Sequence, residues 1–346
     1  MVRRALQALV AALLVLASTG SAARGAPRPT SAPAVRLDVS GARDALNLLQ
    51  ALSKSELVDE QQIQRLLATQ PYQVLLEYHS RLDSTVTADG LAEMLTAVQR
   101  ERLFVSRGRR LGRMHAYWRW ACSQIPLLEA RLEALAGSGI LERAAARAWS
   151  ALPPYACLQV TVYVLADGYT PAYSTGDAIV LDLLQIARTD RLETWLAREL
   201  HRIGVYSLFP EPCPDRNTGA ALDVLAGMIQ EGATSYWIDG WRARPRSEDV
   251  AQVQAFLEGV LEGTLSPSQA EAELAGLLEE GRGPLQRVGN RVIAALATAY
   301  GDEWVRAHLW DPIGLLRSYA RLHAQPDAAA LLALFRAHQG KCPGWF

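Results

Sequence analysis

Apolar residues recur at three- and four-residue intervals along most of this chain, which is the spacing of one face of an α-helix. The first such stretch starts after Val39 and extends to about residue 150. The helices predicted from this spacing include 111–136, 140–150, 189–205, 217–240, 247–261, 267–280, 284–300 and 311–323. The pattern therefore predicts a mainly α-helical protein.

Two short segments beyond Pro153 and Pro154 have a different pattern. In residues 158–165 apolar and polar side chains alternate, and many of them are β-branched. Residues 177–183 form a second strand candidate. We therefore predict a mainly α, α+β fold class with a helical region over 38–150. A second region over 151–346 is predicted to carry the small β-sheet.

The first 25 residues have the organisation of a secretory signal peptide. Two arginines precede an uncharged apolar run from Ala5 to Ala17, and small residues follow, so that cleavage is predicted after Ala23 or Gly25. The run is shorter than the about 20 residues that span a bilayer, so we expect no stable membrane insertion of the mature chain. Residues 26–37 are proline-rich and are predicted to be a flexible lead-in. The expected location is secreted or periplasmic.

Charge composition excludes several classes of protein. The 346 residues include 35 Lys and Arg against 36 Asp and Glu, for a net charge of −1, and 21% of the residues are charged. A disordered chain or a nucleic-acid-binding tail would be more charged or more basic. The arginine-rich run over 107–113 could suggest phosphate binding, but export and the acidic balance favour a solvated turn. No nucleic-acid partner is predicted.

Export would change the expected chemical state of the four cysteines. In an oxidising compartment Cys122, Cys157, Cys213 and Cys342 are predicted to form disulfides, because their wide spacing lacks the short clusters of a structural zinc site. Four thiols allow three pairings, and the sequence does not choose among them.

The segment WLARELHRIG at 195–204 is followed by EGATSY at 231–236. This pair resembles the gluzincin-type zinc metallopeptidases, in particular secreted bacterial peptidase-like proteins whose motif helix commonly reads AHELHHIG, with a later EGxA helix. The resemblance extends over most of the mature chain and includes VSGARDAL at 39–46, GNRVIAAL at 289–296 and DPIGLLRSY at 311–319. It implies a gluzincin-like peptidase fold, with the zinc-site helix over 189–205 and the third-ligand helix over 217–240.

In such enzymes two histidines at i and i+4 share a helix face and bind one Zn²⁺, while the glutamate at i+1 acts as the base. The resemblance places Arg198 and Arg202 at the histidine positions, Glu199 at the base position and Glu231 at the third-ligand position. A guanidinium group has no lone pair to donate and stays protonated, so it repels a dication. His201 occupies the non-ligand middle position. No metal is therefore predicted in this chain, although the resembled family uses zinc.

A charge comparison suggests what has replaced the metal. A site that holds Zn²⁺ and two carboxylates is neutral. A site that holds two guanidinium groups and two carboxylates is neutral as well. We therefore expect Arg198 and Arg202 to occupy the former metal position and to pair with Glu231 and Glu199. Tyr169 and Tyr173 precede a strand that lies near the cleft in a gluzincin, and they are candidate oxyanion donors.

These observations predict an exported, catalytically inactive homologue that binds peptides or a protein partner in the inherited cleft. Two alternatives remain open. One is a working enzyme with a non-standard metal site, or with a metal-free mechanism that uses Glu199 as base. The other is a helical binding or scaffold protein without peptidase ancestry. The oligomeric state is left open.

Overall fold

A computed structural model of the protein describes residues 34–54, 58–99, 104, 108–186, 191–210, 213–243, 246–278, 282–323, 326–342 and 344–345. The predicted signal peptide over 1–25 and most of the predicted lead-in lie outside these residues. The described chain divides into two compact units. Residues 34–143 and 159–193 form one, which we call the sheet unit, and residues 144–158 and 194–346 form the other, the helical unit.

The sheet unit combines helices with all four strands of a small mixed sheet. Its helices are α1 (Ser40–Ser53), α2 (Glu60–Leu67), α3 (Gln70–Leu82), α4 (Ala88–Gln99), α5 (Arg109–Ala121), α6 (Ile125–Gly137) and α8 (Leu183–Ile186). Its strands are β1 (Ala34–Asp38), β2 (Gln159–Leu165), β3 (Ala172–Thr175) and β4 (Ala178–Asp182), in the order β1-β2-β4-β3. Strands β1, β2 and β4 are parallel, and β3 is antiparallel to β4. This architecture confirms the predicted mainly helical α+β class.

Strand β4 pairs with β2 and β3 at its two edges and is buried at every position, as expected for a strand whose two faces are covered. Both predicted strands, β2 and β4, are present, whereas β1 and β3 were not predicted. Strand β1 includes residues 34–37 of the predicted lead-in, and it is ordered by pairing with β2 from Ala34 opposite Gln159 to Asp38 opposite Tyr163. Strand β3 is only four residues long and turns into β4 at Gly176, whose φ is +56°.

Two further boundaries differ from the sequence prediction. The helix predicted over 111–136 is two helices, α5 and α6, separated by a turn at Cys122–Gln124, and Pro126 lies in the first turn of α6. The sheet was predicted to belong to the region 151–346, but it groups with the N-terminal helices. The long-range pairing of β1 with β2 links residues 159–165 to the start of the described chain.

The helical unit packs around one long, buried helix. Its helices are α7 (Ile140–Ser150), α9 (Leu192–Tyr206), α10 (Arg216–Trp237), α11 (Ser247–Glu262), α12 (Pro267–Leu277), α13 (Pro284–Tyr300), α14 (Asp302–Ala307), α15 (Pro312–His323) and α16 (Pro326–Arg336). The first residues of α7 and α9 belong to the sheet unit. Asp215 caps α10, because its side chain accepts a hydrogen bond from Thr218 N at 3.0 Å. From Ala221 to Tyr236 only Asp223 is not fully buried. In the part of the chain that the structure describes, no helix is long and apolar enough to cross a membrane.

One disulfide closes the helical unit. Cys213 and Cys342 are bonded across a sequence separation of 129 residues, with their Cα atoms 5.0 Å apart, so the predicted disulfide chemistry is confirmed for this pair. The prediction is wrong for Cys122 and Cys157, which are free thiols. Cys122 is half-buried after α5 in the sheet unit, and Cys157 is exposed in the helical unit.

Candidate functional site

The charged motif residues lie on two neighbouring helices of the helical unit. Arg198, Glu199 and Arg202 are on α9, and Glu231 is on α10. Both glutamates are buried. Helix α9 packs closely at Gly204, where an added Cβ atom would lie 2.3 Å from Leu152 Cδ1. Buried carboxylates require charged or hydrogen-bonding partners, so the contacts of these residues determine what the site can do.

The guanidinium group of Arg202 lies between the two glutamates. Its Nη2 donates a hydrogen bond to Glu231 Oε2 at 2.8 Å, and its Nε lies 2.6 Å from Glu231 Oε1. Its Nη1 donates to Glu199 Oε1. Burial by itself lowers the pKa of Arg202, but the charges of Glu199 and Glu231 outweigh burial and raise it above its ordinary value. These are the contacts that the charge comparison predicted for Arg202.

Arg198 has a different main partner from the one predicted. Its Nη1 donates to Asp239, while its Nη2 lies 3.8 Å from Glu231 Oε2. Burial and then the charge of Arg202 lower the pKa of Arg198. Asp239 was not predicted as a site residue; its only local signal is an acidic side chain just after the end of α10. Asp239 adds a third carboxylate to the two that the charge comparison counted.

Glu231 has a further partner on α13 that sequence analysis also missed. Gln286 Nε2 donates to Glu231 Oε2 at 2.6 Å. The two helices approach closely because α10 has Gly232 where α13 has Gly289. A Cβ atom added at Gly232 would lie 2.2 Å from the Gly289 carbonyl carbon. The glycine of the EGA segment is therefore required for helix packing, and this packing brings Gln286 to the glutamate.

His201 makes its contacts away from the carboxylates. Its Nδ1 lies 2.8 Å from Thr234 Oγ1, and that hydroxyl donates to the Gln230 carbonyl oxygen at 2.8 Å. The ring nitrogen is thus hydrogen-bonded to a hydroxyl and not to a carboxylate of the cluster. Burial lowers the pKa of His201 to about 4, which keeps the imidazole neutral. We conclude that His201 is a packing residue between α9 and α10.

The donor set of this site does not suit zinc. Arg202 has nitrogen atoms within ion-pair distance of both oxygens of Glu231 and of Glu199, and a protonated guanidinium offers no lone pair to a metal. Among the described residues, no three His, Cys, Asp or Glu side chains are grouped so that they could hold a metal ion. The zinc that the sequence resemblance implies therefore does not fit these residues.

Tyr169 and Tyr173, the two cleft candidates, belong to the sheet unit. The Tyr173 ring stacks on Tyr78 with ring centroids 3.7 Å apart, and the Tyr169 ring lies 4.4 Å below the Arg110 guanidinium carbon. These contacts are all made within the sheet unit. The arginines and glutamates of α9 and α10 are thus brought together, and the tyrosines take part in a separate cluster.

The fold and the site together define an α+β protein with a buried ion-pair cluster between two helices. Residues 63–265 match the family described as "Putative zinc dependent peptidase (DUF5700)". The match covers more than half of the chain, so the protein belongs to this zinc-peptidase-like family. Searches of the curated proteins and of the solved structures found no match.

Proposed function

We propose that this protein is a metal-free member of its family, in which arginine has replaced zinc, and that it binds peptide or protein ligands without cleaving them. The observation that carries the proposal is the position of Arg202, whose guanidinium group contacts both Glu199 and Glu231. In a gluzincin site these two glutamates would be the catalytic base and the third zinc ligand. A fixed positive group now stands between them.

The geometry gives less support to a metal-free enzyme with Glu199 as base. A general base needs a lone pair within hydrogen-bond reach of the attacking water. The Glu199 carboxylate instead accepts a hydrogen bond from Arg202 within an ion pair. That pairing holds a fixed positive charge against the carboxylate and occupies one of its oxygens.

Zinc binding by a reverted site tests the replacement. We expect wild-type protein to hold no stoichiometric zinc after dialysis, and the Arg198→His, Arg202→His double variant to gain close to one equivalent. The matched control is Arg198→His with Arg202→Gln, which removes the same guanidinium groups but supplies only one histidine. The measurements are elemental analysis after dialysis and calorimetric titration with ZnCl₂, with circular dichroism to check the fold.

Two results would contradict the replacement. One is stoichiometric zinc that survives dialysis of the wild-type protein. The other is a folded double variant with no more zinc affinity than its one-histidine control.

Ligand binding needs its own measurement. Arg198 and Asp239 are the most exposed members of the cluster, with side chains 18% and 25% exposed, so a ligand in the inherited cleft would contact them first. We expect fluorescein-labelled denatured casein to bind the wild-type protein and to remain intact, and Arg198→Ala to weaken binding. Arg109→Ala, at an exposed position of α5, is the control. Absence of binding would contradict the binding role. Cleavage that persists in EDTA and is lost in Glu199→Gln would favour the metal-free enzyme.

We also propose that the chain is exported through residues 1–25. The Cys213–Cys342 disulfide supports this, because structural disulfides persist in oxidising compartments. Expression of the full chain in a bacterial host should yield an extracytoplasmic form whose first residue, by N-terminal sequencing, is Arg24 or Ala26. An uncleaved protein confined to the cytoplasmic fraction would contradict export.

A further inference from the structure

The sheet unit contains a second charged cluster around the buried His79 on α3. His79 Nε2 lies 2.8 Å from Asp167 Oδ2, and His79 Nδ1 lies 3.1 Å from Arg110 Nη1. An arginine can only donate, so Nδ1 accepts and the Nε2 hydrogen is donated to Asp167. Arg110 is thus held by a short hydrogen-bonded chain that ends on a buried carboxylate.

One tyrosine ring contacts two arginines of α5. The guanidinium carbons of Arg110 and Arg113 lie 4.4 Å and 5.8 Å from the centroid of the Tyr169 ring. The two arginines are three residues apart, so they share one face of the helix. The ring approaches this face because Gly168, with φ +78°, packs where an added Cβ atom would lie 2.8 Å from Tyr117 Cβ.

Within the described part of the chain, Arg113 has no ion-pair partner and a donor without an acceptor. Asp83 accepts a backbone hydrogen bond from Arg110 and also feels the charge of its guanidinium group. No carboxylate among the described residues lies within ion-pair distance of Arg113. Arg110 Nη1 contacts His79, whereas the buried Nη1 of Arg113 has no hydrogen-bond acceptor in the described residues. A buried charged donor without an acceptor is costly, which marks this nitrogen as a place for an external acceptor.

The acceptors within the cluster are already used. Asp167 accepts from His79 and from the backbone nitrogen of Tyr169, and Asp182 accepts from three backbone nitrogens. Burial and the charge of Asp167 raise the pKa of Asp182 well above its ordinary range, so Asp182 does not balance Arg113. The buried Tyr173 hydroxyl, on a ring 5.7 Å from His79, is a second donor without a partner in the described residues. Two buried donors of the cluster, Arg113 Nη1 and the Tyr173 hydroxyl, thus have no acceptor among the described residues.

We propose that Arg110, Arg113 and Tyr169 form a binding site for a small oxyanion, a phosphate or a carboxylate group. Guanidinium forks bind both groups through paired hydrogen bonds. In this site Arg113 supplies the uncompensated donor, and His79 with Asp167 is the positioning pair that orients Arg110. The proposal does not depend on the function proposed for α9 and α10. It also changes the interpretation of the arginine-rich run, because Arg110 and Arg113 are half-buried and stacked on a ring.

Anion titration of the full protein tests the site. Inorganic phosphate and acetate are titrated separately by calorimetry at constant ionic strength, with chloride as the balancing ion. We expect saturable binding of at least one of them, and a loss of about tenfold or more in affinity in Arg113→Gln. Arg109→Gln is the matched control, because Arg109 is an exposed arginine on the same helix, and its affinity should stay within about twofold of wild type.

A second pair of variants separates recognition from structure. Arg113→Lys keeps the charge but lacks the planar fork, and it should lose most of the affinity. His79→Gln should weaken binding while both arginines remain, because Arg110 is no longer oriented. Unfolding curves confirm that each variant is folded. Absence of saturable binding for both anions, or equal losses in Arg113→Gln and Arg109→Gln, would overturn the proposal. Phosphate alone or acetate alone as the ligand would identify which oxyanion the site takes.

Discussion

Replacing Arg202 by Met is the most direct test of how the cluster on α9 and α10 contributes to stability. The substitution keeps an unbranched side chain but removes the guanidinium group between Glu199 and Glu231, whose side chains are 6% and 3% exposed. Breaking a buried ion pair by removing one partner costs about 3–5 kcal/mol. Glu231 would retain its hydrogen bond from Gln286 and the charge of Arg198 at 3.8 Å. We therefore expect a loss near the lower end, about 3 kcal/mol.

Urea unfolding followed by circular dichroism at neutral pH measures this loss. For a unit of this size it corresponds to a fall in Tm of about 6–12 °C. The matched control is Arg246→Met, which breaks the ion pair between Arg246 and Glu248. Their side chains are 74% and 60% exposed, respectively. Exposed pairs contribute less than about 1 kcal/mol. Adding Glu231→Gln to the Arg202→Met variant should recover part of the loss, because one uncompensated carboxylate is removed.

The losses of unfolding free energy in Arg202→Met and Arg246→Met are compared directly. If Arg202→Met and Arg246→Met destabilise the protein equally, within about 0.5 kcal/mol, the cluster is not a compensated buried charge system. The same conclusion would follow if Glu231→Gln destabilised the Arg202→Met variant further.

Three other predictions concern packing, pH and oxidation. Gly232→Ala should destabilise the protein by about 1–3 kcal/mol in urea unfolding, because its Cβ atom would meet the α13 backbone. The control is Gly276→Ala on α12, where no atom lies within 4 Å of an added Cβ, and it should be neutral or stabilising by up to about 1 kcal/mol. Burial raises the pKa of Asp223 to about 7, so the folded state binds this proton more tightly than the unfolded state. The stabilisation present at low pH is therefore lost as the pH rises towards 7. Unfolding curves from pH 4 to pH 8 should show a decline in unfolding free energy that is steeper in wild type than in Asp223→Asn, by up to about 4 kcal/mol, and identical profiles would contradict this prediction. Dithiothreitol should lower the unfolding free energy of wild type by about 2–5 kcal/mol, given the 129-residue separation of Cys213 and Cys342, and should leave a variant with both cysteines changed to Ser unaffected.

Much of the fold was predictable because its signals are local. Apolar spacing identified the helices that became α9, α10 and α13, and β-branched alternation identified β2 and β4. The arginines at 198 and 202 were also evident from the sequence, together with the chemical reason that they cannot bind a metal. Residue type and short-range periodicity are sufficient for such conclusions.

The partners of these residues were decided only by the tertiary structure. Asp239 as the partner of Arg198, Gln286 as the donor to Glu231, and the pairing of β1 with β2 all join segments that no local pattern connects. The contact of Gly232 with Gly289 shows the reason. A missing side chain in each helix lets two backbones approach, and that approach determines which distant polar groups come within hydrogen-bond distance. The sequence determined which charges the protein has, and the helix packing decided how each is compensated.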